Sequence, residues 1–177
     1  MPPVRFDRSR IRALLALAGD RLDGEWLLIG GGAAAAWFAP ARTTEDLDLI
    51  GLGGTQAERF ALMDLAVEAA IPIEAVNSAA DFFVRRIDDW RDQLVELMRG
   101  ARATIYRPSA TLFLLLKIGR LSAVDLDDCL ALIAHCRESG ESIDRERIAA
   151  VIHALPATDD RALSERRAEL GAAVRTS

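Results

Sequence analysis

Apolar residues recur at helical spacing over residues 8–22, at Ile11, Leu14, Leu15, Leu17 and Leu22, and predict an opening helix capped by Asp7 or Ser9. Trp26-Leu27-Leu28-Ile29 is a short apolar run that stops at three glycines, the pattern of a buried strand. A short helix over residues 33–38 follows, ended by Pro40. Asp46-Leu47-Asp48-Leu49-Ile50 alternates polar with apolar, the period of a strand with one face buried. An amphipathic helix is predicted over 56–70 and a third strand over 71–76, which begins at Pro72 or lies at an edge because Pro72 lacks an amide donor. Residues 77–92 read as irregular with one helical turn. Strands are expected over 93–98 and 103–106, joined through Arg99-Gly100-Ala101. From Ser109 the texture turns helical, with helices over 109–118, 123–137, 144–154 and 159–174. The pattern predicts a small mixed α/β (α+β) sheet flanked by helices over residues 1–107, then a helical subdomain over 108–177.

Composition narrows the class. A chain of 177 residues with 51% apolar and 28% charged residues is that of a globular protein. The longest apolar stretch, residues 112–116, is far too short to span a bilayer, and no apolar signal core follows Met1-Pro2-Pro3-Val4-Arg5. The expectation is a cytoplasmic protein without a membrane partner. Cys129 and Cys136 lie two helical turns apart, roughly 10 Å, too far for a disulfide, and read as small core residues. His135 and His153 read as helix-packing residues.

Charge then bears on partners. A net charge of −5 argues against broad, sequence-independent nucleic-acid binding but leaves room for a local basic cleft, for which Arg85, Arg86, Arg99 and Arg102 are available. Of the 22 cationic residues all but Lys117 are arginines, and this one lysine stands inside the apolar stretch 112–118.

Two features carry candidate chemistry. Asp46 and Asp48, two apart on a strand, leave the same face; a divalent cation between them would offset their repulsion, and hard oxygen ligands suit Mg²⁺ or Mn²⁺. Alone, such a pair also fits the wet face of an edge strand. Gly30-Gly31-Gly32, where a strand opens into a helix, brings bare backbone amides to a positive helix end, an arrangement suited to phosphate. The run matches neither a Walker loop nor G-x-G-x-x-G.

Phosphate-cradling glycines, a helix and then paired carboxylates form a constellation that resembles the polymerase-beta nucleotidyltransferase superfamily. Gly31-Gly32 precede Asp46-Leu47-Asp48 with thirteen residues between. Arg42-Thr43-Thr44-Glu45 between them is similar to the R-x-T-x-D-h-D pattern of one branch (h, apolar), found in nucleotidyltransferases of abortive-infection (AbiE-type) toxin–antitoxin systems. Lys117, Arg120 and Asp125-Leu126-Asp127-Asp128 resemble that branch's downstream lysine–aspartate region. The resemblance covers residues 26–135. It implies a two-metal transfer of a nucleoside monophosphate from an NTP to a hydroxyl, on RNA (a tRNA 3′ end among the options) or protein. It makes Asp46 and Asp48 metal ligands, with Glu74 as third carboxylate. Gly30, Gly31, Gly32, Arg42, Thr44 and Arg120 would lie at the nucleotide and Lys117 at a phosphate. Glu74 equally fits a surface residue on an edge strand, and Lys117 also fits a snorkelling lysine in an apolar helix or a partner for Asp125 or Asp128. Two alternatives stand beside this reading: a catalytically inactive, partner-binding protein of the same fold, antitoxin-like or regulatory, and a transferase acting on a cationic small molecule.

Overall fold

The computed structural model describes residues 4–78 and 80–176. Met1, Pro2 and Pro3, on which the expectation of no leader partly rests, lie outside the described residues. The chain divides into two compact units, the first ending at Pro108 and the second beginning at Ser109. No helix among the described residues is long and apolar enough to cross a membrane.

The first unit is a five-stranded mixed sheet in the order β3-β2-β1-β5-β4, with helices packed on it. Its elements are α1 (Arg8–Arg21), β1 (Gly24–Ile29), α2 (Gly30–Trp37), β2 (Leu47–Gly51), α3 (Gln56–Glu68), β3 (Val76–Asn77), a single helical turn α4 (Asp81–Val84), β4 (Leu94–Arg99) and β5 (Ala103–Pro108). Asp7 is the cap of α1, accepting from the Arg10 amide at 2.8 Å. The central strand β1 is buried from Trp26 through Ile29, as its unbroken apolar run requires. It pairs antiparallel with β2 and parallel with β5. Helix α1 packs on β5 and β4, α2 on β1 and β2, and α3 on β3.

Three expectations need correction. The strand predicted over 71–76 is mostly a 3₁₀ turn, Ile73–Ala75, started by Pro72; the strand proper is only Val76–Asn77, paired parallel with Leu47 and Asp48 of β2. Pro72 favours a turn start and brings no amide to a ladder, so the apolar period there does not become pairing. Helix α2 begins at Gly30 rather than after the glycines, and β2 begins at Leu47, leaving Asp46 one residue outside the strand.

The turn between β4 and β5 is moored to the end of α1. The Arg102 amide donates to the Gly19 carbonyl at 2.9 Å and the Ala101 amide to Asp20 at 3.2 Å. Two glycines allow this approach: a Cβ on Gly100 would stand 2.3 Å from the carbonyl carbon of Gly19. Because backbone meets backbone, neither side can give. Gly100→Ala is expected to lower stability by about 1–3 kcal/mol, as overpacking does. A urea midpoint equal to wild type would count against that contact.

The second unit comprises α5 (Ala110–Ile118), α6 (Ala123–Ser139), α7 (Arg145–Ala154) and α8 (Arg161–Thr176). Helix α5 packs on α6 and α7, and α8 on α6 and α7. Their boundaries follow from local chemistry. Ser109 caps α5, Ser122 and Asp125 form a reciprocal capping box on α6, and left-handed Gly140 ends it. Cys129 and Cys136 are buried and form no disulfide, and burial pushes the Cys129 thiol up to about 12, as suits a packing residue.

Candidate functional site

The β1–β2 register joins the two sequence features. Ile29, the last residue of β1, pairs with Asp48 of β2, so the glycine turn begins beside the carboxylate. Gly30 has φ +66°, and a Cβ there would stand 2.6 Å from Asp48 Oδ2. A Cβ on Gly31 would stand 2.8 Å from Thr44 Oγ1 and 3.2 Å from Arg42 Nη2. Gly32 is different: it is buried, and a Cβ on it would press Leu47 and Leu28 at 2.9 and 3.3 Å. Two glycines therefore shape the surface of the turn, while the third seats α2 on the sheet.

Helix α2 starts with no side-chain cap and no acid in its first turn. Its positive end faces the Asp48 carboxylate at Gly30 and the Arg42 guanidinium at Gly31. A cation beside a positive helix end is repelled by it, and an anion placed among them would relieve that repulsion. Arg42 is held by donating Nη1 to the Thr43 carbonyl. Thr44 donates Oγ1 to the Asp46 carbonyl at 3.0 Å. Asp46 is exposed and Asp48 half-buried, so the pair stands at the surface end of β2.

Glu74 does not join them. It lies in the 3₁₀ turn, exposed, and no group of three or more His, Cys, Asp or Glu side chains suited to a metal comes together among the described residues. The β3 position level with Asp48 is Asn77.

Lys117 and Arg120 belong to the second unit, where a charged cluster is built into the helices. Lys117 is buried; its Nζ donates to Asp125 Oδ1 at 2.7 Å and Asp128 Oδ2 at 3.1 Å and lies 5.6 Å from the centre of the Phe113 ring. Arg120 clasps Asp125 through Nε at 2.9 Å and Nη2 at 3.1 Å. The Ser122 amide and hydroxyl donate to the same carboxylate at 3.0 and 2.8 Å. Burial opposes charge on Asp125, but the bonds from Arg120, Lys117 and Ser122 outweigh it and hold that carboxyl well below the ordinary range. Spacing alone allowed a phosphate-facing lysine; this geometry gives it two carboxylate partners.

The arginines set aside for a basic surface are engaged separately. Arg85 pairs with Asp81 and reaches the Gly51 and Leu52 carbonyls, Arg99 pairs with Glu96, and Arg102 with Asp23. Arg86 lies over the Phe82 ring at 5.4 Å. One neighbour of the site escaped the sequence reading: Phe6, whose backbone bridges Thr44. The only hint of it is a lone apolar residue just before the Asp7 cap, a signal too slight to use. Compared with protein-family models, curated proteins and solved structures, the chain matches none.

Proposed function

We propose that the first unit binds an NTP with a divalent cation and transfers its nucleoside monophosphate to a hydroxyl. The observation that carries this reading is the packing of Gly30 and Gly31 directly against Asp48, Thr44 and Arg42, which unites an anion-seeking helix start, a guanidinium and the Asp48 carboxylate, with Asp46 two residues before it. A glycine turn needed only for chain reversal would not have to keep two Cβ positions clear of polar side chains.

The donor set suits one hard cation. Mg²⁺ is commonly held by one or two carboxylates, waters and substrate phosphates, and Asp46 and Asp48 supply the two. The second ion implied by the resemblance finds no third carboxylate among the described residues, and nothing here is derived through it. When bound, the cation would neutralise phosphoryl charge. The Gly30–Gly31 backbone would admit phosphate oxygens closely, and Arg42 would add a fixed positive charge beside them. In the transfer, the acceptor oxygen bonds to the α-phosphorus as the bond to the bridging oxygen breaks, releasing pyrophosphate and a proton. RNA and protein hydroxyls are both admissible acceptors, and a toxin–antitoxin setting is one context for either.

A second reading, nucleotide binding without turnover as part of a regulatory or antitoxin-like protein, is favoured by the lack of a third carboxylate beside the pair among the described residues. One set of experiments separates them: labelled NTPs with Mg²⁺ or Mn²⁺, offered total RNA or protein, beside calorimetry of NTP binding. The transfer reading expects metal-dependent labelling that Asp46→Asn and Asp48→Asn each abolish. Full labelling in either variant would sink the carboxylate assignment. Metal-dependent NTP binding with no labelling of any acceptor would favour the second reading.

A further inference from the structure

We infer that the segment around Phe6 is a strap that positions Asp46, with Phe6 and Thr44 as positioning residues; this rests on the two-carboxylate reading above. Asp46 lies one residue before β2, and the β2–β3 ladder begins only at Leu47, so no strand pairing fixes its backbone. What fixes it arrives from the N-terminal side of the chain. The Phe6 amide donates to the Thr44 carbonyl at 2.8 Å, and the Thr44 amide donates back to the Phe6 carbonyl at 3.1 Å. This two-bond bridge stands outside the sheet. Thr44 then passes the constraint on through its hydroxyl, 3.0 Å from the Asp46 carbonyl.

The strap is itself anchored at both sides of Phe6. The Phe6 side chain is fully buried, with the Arg10 guanidinium 5.1 Å from its ring centre. Asp7 caps α1, and Arg8 Nη2 donates to the Ala36 and Trp37 carbonyls, 3.1 Å each, at the far end of α2. Helix α2 is the element whose first residues form the glycine turn. The contacts thus run from the end of α2 through Arg8, Asp7 and Phe6 to Thr44 and Asp46, and the same helix leads back to Gly30 and Asp48. A carboxylate on an otherwise unpaired loop is held in register with one on a strand. Groups that orient metal ligands from behind change affinity without touching the ion.

The test follows Mn²⁺ binding by electron paramagnetic resonance, with a non-hydrolysable NTP analogue present, in wild type, Thr44→Val, Phe6→Ala, Phe6→Leu and Asp48→Asn, beside thermal melting and amide exchange. Thr44→Val keeps the shape and the backbone bridge but loses the hydroxyl; it should weaken Mn²⁺ binding by about tenfold at an unchanged melting temperature. Phe6→Ala should weaken Mn²⁺ binding and speed exchange of the Thr44 amide, and Phe6→Leu should restore both. If Phe6→Ala fails to fold, Thr44→Val and Phe6→Leu carry the test. Wild-type Mn²⁺ affinity in Thr44→Val and Phe6→Ala, with binding lost in Asp48→Asn, overturns the strap alone. A wild-type protein that binds no Mn²⁺ overturns the two-carboxylate reading and the strap with it.

Discussion

Lys117→Met is expected to destabilise the helical unit by about 3–5 kcal/mol, the usual consequence of removing one partner from a buried ion pair. Methionine fills the same space, so the loss is electrostatic rather than a cavity. Asp125 keeps its clasp from Arg120 and its bonds from Ser122, whereas Asp128 loses the 3.1 Å bond from Nζ. The double variant Lys117→Met/Asp128→Asn should recover part of the loss, because it also removes one of the two buried carboxylate charges that Lys117 faces. All three tryptophans, Trp26, Trp37 and Trp90, lie before Pro108, so their fluorescence reports on the first unit while circular dichroism at helix wavelengths includes the second. Urea titrations followed by both signals should show the dichroism midpoint falling in Lys117→Met. A midpoint equal to wild type would contradict a structural role for the triad.

The same cluster sets a pH dependence. The Asp125 carboxyl is depressed in the folded protein below its ordinary 3.8, so the folded state holds fewer protons than the unfolded one near that pH. Its contribution to stability is complete above the ordinary value and is lost progressively as pH falls from about 5 through about 3 toward the depressed value. Lys117→Met lacks one of the groups that depress it, so its urea midpoint should fall less steeply over that interval.

Gly30→Ala should be the most damaging conservative change in the first unit for ligand binding, and a modest one for stability. A left-handed alanine is disfavoured by about 1–2 kcal/mol, a loss smaller than the total stability of a typical domain. The larger effect is local: the new methyl would lie 2.6 Å from Asp48 Oδ2, so the carboxylate must swing away. Under the proposed function, Mn²⁺-dependent NTP binding should be lost at temperatures where the variant is still folded. Gly32→Ala is the control. Its methyl meets Leu47 and Leu28 instead of a carboxylate, so it should lower the melting temperature while leaving NTP binding intact in the folded fraction. Equal binding in Gly30→Ala and wild type would detach the glycine turn from the carboxylate.

Much of this architecture was legible because its causes are local. The β1 run, the helix caps and the alternation through Asp48 each depend on neighbours within a few positions, and the observed elements follow them. The glycines and carboxylates were legible as separate features, and the antiparallel Ile29–Asp48 pairing makes them one place. Where the reading fell short, the deciding interaction was distant or ambiguous. Ile71 to Val76 has strand-like apolar spacing, but Pro72 starts a turn there, and Glu74 is carried to the surface with it. The spacing of Lys117, Asp125 and Asp128 suited either a phosphate or an aspartate partner, and only the packing of α5 on α6 makes it a buried lysine with two carboxylates. The Phe6–Thr44 bridge spans almost forty positions and has no periodicity, so nothing in the sequence announces it.

The buried triad also has a practical side. Lys117 is the sole lysine of the chain, and its amine is wrapped by two carboxylates inside the second unit. Acylating reagents that seek lysine side chains therefore find none exposed on the folded protein. The same reagents become a stopwatch for opening: a label on Lys117 records a moment when the helices around it came apart.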